Sequence, residues 1–217
     1  MKTARISSGQ EFTVGKILCI GRNYVDHIHE LGNEVPTAPV IFMKPASSVI
    51  SEGERIVIPS YSNDCHHEGE LAVLIGKTGK DIPLDKALDH VAGYGAAIDL
   101  TLRDVQAELK KKGLPWDIAK GFDTACPLSD FAPAELVPDP QLLQVRLSVN
   151  GEIRQNGPTA LMINPVANII SHLSTIFTLE PGDVILSGTP AGVGRIVSGD
   201  RLLAEIPGVA RIEVSVA

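Results

Sequence analysis

The sequence contains no continuous apolar run of the roughly 18 residues that a membrane-spanning helix needs, and its polar, Ser-containing start lacks the apolar core of a signal peptide. A soluble, cytoplasmic chain without a membrane partner is expected. No basic run is present either, and 19 Lys and Arg stand against 26 Asp and Glu, for a formal charge of -7. That balance argues against nucleic acid as a partner. Cysteine is scarce: Cys19, Cys65 and Cys126 are odd in number, far apart and without a C-x-x-C pair. They are expected to be free, packed thiols in a reducing compartment, with Cys65, beside an acidic motif, the one open to oxidation. Internal repeats and low-complexity linkers are also missing, which excludes solenoids and tethered modules. At 217 residues the chain can bury a sizeable core as one domain.

Short apolar or alternating runs punctuated by Gly, Pro and Asn predict strands at 17–20, 40–43, 55–58, 68–75, 94–99, 145–150, 183–187, 201–206 and 211–216. Asn150-Gly151 between two such runs is a hairpin signal. Helices are fewer. One is predicted over 100–112, with Leu102, Val105 and Leu109 apolar, Asp99 as N-cap and Gly113 as stop. A second takes Asn164 as cap and Pro165 as its first residue, and carries Val166, Ile169, Ile170 and Leu173 on its apolar face. A third, short helix covers 24–31 and ends at Gly32-Asn33, so that 24–33 has the make-up of a lid. Without regular strand-helix alternation the fold class is α+β, mostly β, rather than a doubly wound sheet.

Three carboxylates concentrate the chemical signal: Glu68 and Glu70 in His67-Glu68-Gly69-Glu70, and Asp99 after Gly93-Tyr94-Gly95-Ala96-Ala97-Ile98. Two apart at the head of a strand, Glu68 and Glu70 project to one face. Buried, they would need a proton or a cation, and an oxygen-only ligand set suits Mg²⁺, Mn²⁺ or Ca²⁺ rather than zinc. An exposed acidic edge accounts for the spacing equally well. On the short helix, His27 and Glu30 are three apart and share a face, where the carboxylate can hold the imidazole in the tautomer of a general base. Two solvated surface residues are the competing account. His29 lies on another face, and His66 and His67 lack the H-E-x-x-H spacing of a zinc protease.

Six ordered motifs make the chain recognisable: Gly21-Arg22-Asn23-Tyr24-Val25-Asp26-His27, Phe42-Met43-Lys44-Pro45, His67-Glu68-Gly69-Glu70-Leu71, Asp99-Leu100-Thr101-Leu102-Arg103-Asp104-Val105-Gln106, Lys120-Gly121-Phe122-Asp123 and Ser187-Gly188-Thr189-Pro190-Ala191-Gly192-Val193-Gly194. Together they resemble the catalytic domain of the fumarylacetoacetate hydrolase family, in its small acylpyruvase-like branch. The resemblance covers 16–217 and leaves 1–15 as a short N-terminal segment. It implies layered mixed β-sheets, a homodimer, a divalent metal on Glu68, Glu70 and Asp99, and an active-site lysine at Lys120. It also places Arg103 and Gln106, three apart on one helix, at the substrate's polar end. An ion pair between Asp99 and Arg103 is the alternative use of that arginine.

Arg22 suits a bidentate carboxylate clamp or braces its loop. The 188–194 stretch lacks a P-loop ending, so its glycines point to close backbone approach, with Thr189 offering a hydroxyl and an amide to a substrate carboxylate. The leading expectation is hydrolysis of acylpyruvates such as fumarylpyruvate, with His27 and Glu30 activating water and Lys120 stabilising the departing enolate. The alternative is oxaloacetate decarboxylation or keto-enol isomerisation on the same enolate, as in similar proteins of aromatic-acid breakdown. A noncatalytic metal-binding scaffold is the third reading.

Overall fold

The computed structural model describes residues 1–32 and 34–217. A six-stranded mixed sheet runs in the order Ala132–Pro133, Val91–Ile98, Gly69–Ile75, Val184–Leu186, Ile17–Gly21, Val40–Lys44. Its pairs are antiparallel except for Val184–Leu186 with Ile17–Gly21. Every residue of Gly69–Ile75 is buried, because the sheet is covered on both faces. Leu71, Val73 and Ile75 join one core cluster with Ile98, Leu147, Leu202 and Ile212, whereas Ala72 and Leu74 join another with Ile17, Cys19, Ala97 and Leu186. A continuous apolar run, rather than alternation, is the signature of such a strand.

The second sheet, ordered Glu152–Pro158, Gln144–Val149, Arg201–Ile206, Ala210–Val216, Arg55–Ile56, has one face on the core. Its strands alternate in burial along Gln144–Val149 and Arg201–Ile206, as their sequences do. Asn150 and Gly151 take φ of 53° and 82°, the left-handed pair that the predicted hairpin turn requires.

The helices form near the expected places with corrected starts. The first long helix is Arg103–Lys112, not 100–112. Thr101–Leu102 pairs instead with Cys65–His67, so Asp99 is not an N-cap and its carboxylate is used elsewhere. Gly113, at φ 63°, ends this helix as predicted. The second is Val166–Ile176, and Asn164 does not cap it: the Val166 amide donates to Gln141 Oε1, while Asn164 N donates to Asn23 Oδ1. Val166, Ile169, Ile170 and Leu173 are buried. The short helix is Val25–Glu30, with Gly32 at φ 61° after it; Asn33, the other half of the expected stop, lies outside the described residues. All three cysteines are free and buried, and burial pushes the Cys65 thiol up to about 12, which disfavours its thiolate. Among the described residues no helix is long and apolar enough to cross a membrane.

One turn ties this framework to the chemistry. Gly188, at φ 97°, follows Val184–Leu186 and crosses so close to the 21–24 loop that an added Cβ would sit 2.6 Å from Asn23 Cβ. Gly188→Ala should therefore cost about 2–5 kcal/mol, the sum of a left-handed alanine and an overpacked contact, read from urea denaturation midpoints. An unchanged midpoint would show that the turn can relax.

Candidate active site

Antiparallel register assembles the acidic centre. Glu70 stands opposite Ala97, and the Asp99 amide donates to the Glu68 carbonyl at 2.8 Å, so Glu68 and Asp99 extend the same ladder one pair beyond. Residues two apart on a strand share a face. Glu68 itself falls in the break between Cys65–His67 and Gly69–Ile75 rather than inside one strand. Ligand oxygens of Glu68, Glu70 and Asp99 lie within 4.8 Å of one another, and all three residues are buried, which discards the exposed acidic edge.

Three cations hold this charge. Lys120 Nζ donates to Glu68 Oε2 at 2.9 Å, Asp99 Oδ2 at 2.6 Å and Thr101 Oγ1 at 2.6 Å. Lys44 Nζ pairs with Asp99 Oδ1 at 2.8 Å and donates to the carbonyls of Leu100 and Lys120. Arg103 Nη2 pairs with Glu68 Oε1, so this arginine serves Glu68 and not the Asp99 pairing considered from spacing. Its Nη1 donates to Gln106 Oε1 at 3.1 Å, confirming that the two share a helix face.

These contacts split the carboxyls. Burial opposes ionisation of Glu68, but Arg103 and Lys120 overcome it and hold its pKa well below the carboxylate range. Glu70 is pushed well above that range by burial and by the charges of Asp99 and Glu68, against the help of the Gly188 amide at 2.6 Å. Burial works against Lys120 too, yet Asp99 and Glu68 raise its pKa, so it stays an ammonium. That cation lies 4.7 Å from the centroid of the Phe42 ring, which in turn tilts against Trp116.

The short helix closes the cavity above. His27 is buried, and its Nδ1 lies 3.3 Å from Glu30 Oε2. Glu30 Oε1 accepts from the Gly192 amide at 3.0 Å, which anchors the dyad to the Gly-rich loop. Donation from Nδ1 leaves Nε2 as the basic ring nitrogen. One cavity is lined by Arg22, His27, Glu68, Glu70, Asp99 and Arg103 together with Gln106, Lys120 and Thr189; Glu30 stands behind His27. Thr189 differs from expectation. Its hydroxyl donates to the Gly69 carbonyl at 2.8 Å and accepts from Gln155 Nε2 at 2.7 Å, so the hydroxyl proton is committed to the fold.

Sequence reasoning gave no role to Lys44, Thr101 or Gln155. Lys44 had a signal, as the lone charge ending the apolar run Val-Ile-Phe-Met inside a recognisable motif. Gln155 had none: its amide bonds Gly69 N, Thr189 and Pro190 across sequence separations visible only in three dimensions.

Fold and site thus define an enzyme-like centre of buried carboxylates suited to a divalent cation. The family model for the fumarylacetoacetate (FAA) hydrolase C-terminal domain matches residues 16–217. The chain is 50% identical over 200 residues to the mitochondrial oxaloacetate tautomerase FAHD1 of Mus musculus, covering 92% of this chain and 90% of that protein. It is 49% identical over 199 residues to the oxaloacetate tautomerase YcgM of Escherichia coli K12, covering 91% of each. The crystal structure of fumarylpyruvate hydrolase from Pseudomonas aeruginosa in complex with Mn²⁺ and pyruvate superposes with a TM-score of 0.95 at 38% identity, over 100% of this chain and 95% of that one. This chain belongs to the fumarylacetoacetate hydrolase family.

The donor set fits a divalent ion, since the oxygens that now carry Lys120 are hard ligands and Glu70 ionises at lower cost beside a second positive charge. Mn²⁺ or Mg²⁺ should therefore raise the melting temperature, by a margin that shrinks as pH falls and Glu70 keeps its proton. Glu70→Gln should remove most of that gain. Thermal unfolding with and without EDTA reads both effects, and an equal gain in wild type and Glu70→Gln would displace the ion from this triad.

Proposed function

We propose that this protein interconverts the keto and enol forms of oxaloacetate at a divalent ion held by Glu68, Glu70 and Asp99. The observation that carries this reading is one cavity combining a carboxylate triad with a hydrogen-bonded histidine and a buried ammonium, in a chain about half identical to two oxaloacetate tautomerases. When bound, the ion supplies Lewis acidity to a keto oxygen and its neighbouring carboxylate.

The protein's own groups handle the protons. His27 Nε2 takes the C3 proton from the keto form and, as the imidazolium, gives a proton to the enolate oxygen to complete the enol; the reverse direction takes the enol O–H proton and returns one to C3, while Glu30 stabilises the imidazolium through Nδ1. Lys120 remains charged, and its positive charge stabilises the oxygen that gains electron density as C3 is deprotonated. Arg103 and Gln106 bind the polar end of the substrate, Thr189 serves through its amide, and Arg22 clamps a carboxylate. Burial of the centre keeps water from competing for these donors.

A second reading is hydrolysis of an acylpyruvate, favoured by the likeness to the fumarylpyruvate hydrolase and by the ability of the His27–Glu30 pair to activate water as well as to carry a proton. Both reactions pass through an enolate and need Lys120.

Ketonisation of oxaloacetate, followed by loss of enol absorbance, should exceed cleavage of acetylpyruvate or fumarylpyruvate in kcat/KM by at least about 10². His27→Ala should lower ketonisation by about 10² to 10⁴, the usual worth of a positioned base, with the ion still bound. Faster acylpyruvate cleavage in the wild type would move the assignment to the hydrolase. Unchanged ketonisation in His27→Ala would remove the dyad from the proton path.

A further inference from the structure

The helix Arg103–Lys112 carries a third polar group toward the cavity. Arg103, Gln106 and Lys110 occupy positions i, i+3 and i+7, one stripe of an α-helix, and all three line the cavity of the carboxylate triad. The stripe passes from the interior to the rim: Gln106 is buried, whereas Lys110 is exposed. Helical side chains lean toward the helix N-terminus, which brings the Lys110 stem back over Gln106 and the site.

Arg22 lines the same cavity. Its backbone sits at φ 59°, a left-handed conformation that costs a non-glycine residue strain. Asn23 enforces it. The Asn23 amide is completely buried, donates to the carbonyls of Ser187 and Asn164, and accepts from the Asn164 amide at 2.8 Å. Arg22, Arg103 and Lys110 thus line one cavity, and partial burial together with the charges of Arg22 and Arg103 lowers the Lys110 pKa. The cavity therefore has two positive ends, with Lys120 and the proposed ion at its buried floor and Arg22 and Lys110 toward its mouth.

We propose that Lys110, together with Arg22, binds the far carboxylate of the substrate and makes the site selective for 2-oxo dicarboxylates over 2-oxo monocarboxylates of similar length. This rests on the proposed 2-oxo acid chemistry of the cavity. Lys110 is a specificity residue and not part of the proton-transfer machinery.

The test measures binding, so that it does not depend on turnover. Mn²⁺-loaded protein is titrated calorimetrically with 3,3-difluorooxaloacetate, with its 4-methyl ester and with oxalate. The first two lack C3 hydrogens and cannot be tautomerised, and oxalate reaches only the floor. Wild type should prefer the dianion to the ester by about 10-fold or more. Lys110→Met should reduce that preference by about 10-fold, the value of one charge-assisted hydrogen bond, with oxalate affinity unchanged, and Lys110→Arg should retain it. No preference in the wild type, or equal losses for dianion and ester in Lys110→Met, would overturn the proposal. Loss of oxalate binding in that variant would place Lys110 at the floor and overturn it as well. Failed ketonisation of oxaloacetate, with this binding pattern intact, would instead reject the tautomerase reading alone.

Discussion

Three carboxylates buried within one cavity repel one another, and the rest of the site is organised around that repulsion. Desolvating each ion costs several kcal/mol, and the cost is recovered only by close opposite charge and complete hydrogen bonding. Lys120, Lys44 and Arg103 bring the opposite charge from separate parts of the chain: the short helix Asp117–Lys120, the end of the strand Val40–Lys44 and the first turn of a longer helix. The same three cations draw together elements that share little sequence proximity. Charge balance at the centre is thus also a constraint on packing.

Location follows from the sheet. A strand buried on both faces tolerates a carboxylate only where the ladder ends, and Glu68, Glu70 and Asp99 sit at that end of Gly69–Ile75 and Val91–Ile98. The Gly188 amide reaches Glu70 there because the neighbouring strand, Val184–Leu186, ends at the same level in a left-handed glycine. Above the carboxylates, the His27–Glu30 dyad is fastened by Gly192, and the loop bearing Thr189 is fastened by Gln155. The first attachment uses the Gly192 amide and the second the Thr189 hydroxyl and the Pro190 carbonyl, so the dyad and the loop beside the carboxylates share one support.

This support explains why one family scaffold serves related reactions. Proton transfer at C3 and cleavage beside a carbonyl both need a stabilised enolate oxygen, the role we propose for the buried ammonium of Lys120. They differ in whether a water enters beside His27 and in what fills the far end of the cavity. On the proposed assignment, specificity is set at the rim, by Arg22 and Lys110, while the floor is common to the chemistry.

By itself the sequence determined the local elements and the ligand types. Apolar runs marked the strands, Asn150-Gly151 marked its hairpin, Gly113 marked a helix end, and the spacing of Glu68 with Glu70 and of His27 with Glu30 marked pairs that share a face. These are short-range properties, set by periods of 2 and 3.6 residues and by backbone conformations that few residue types accept. Helix starts were less legible, because Asp99 and Asn164 are good caps in isolation but have stronger partners in Lys120 and Asn23. Only the tertiary structure decided that the carboxylates are buried, that Arg103 serves Glu68, that Lys44 and Gln155 belong to the site, and that the Thr189 hydroxyl is committed to Gly69. Each of these depends on groups tens of residues apart meeting where water is excluded, and it is the loss of water that turns a proximity into a strong interaction.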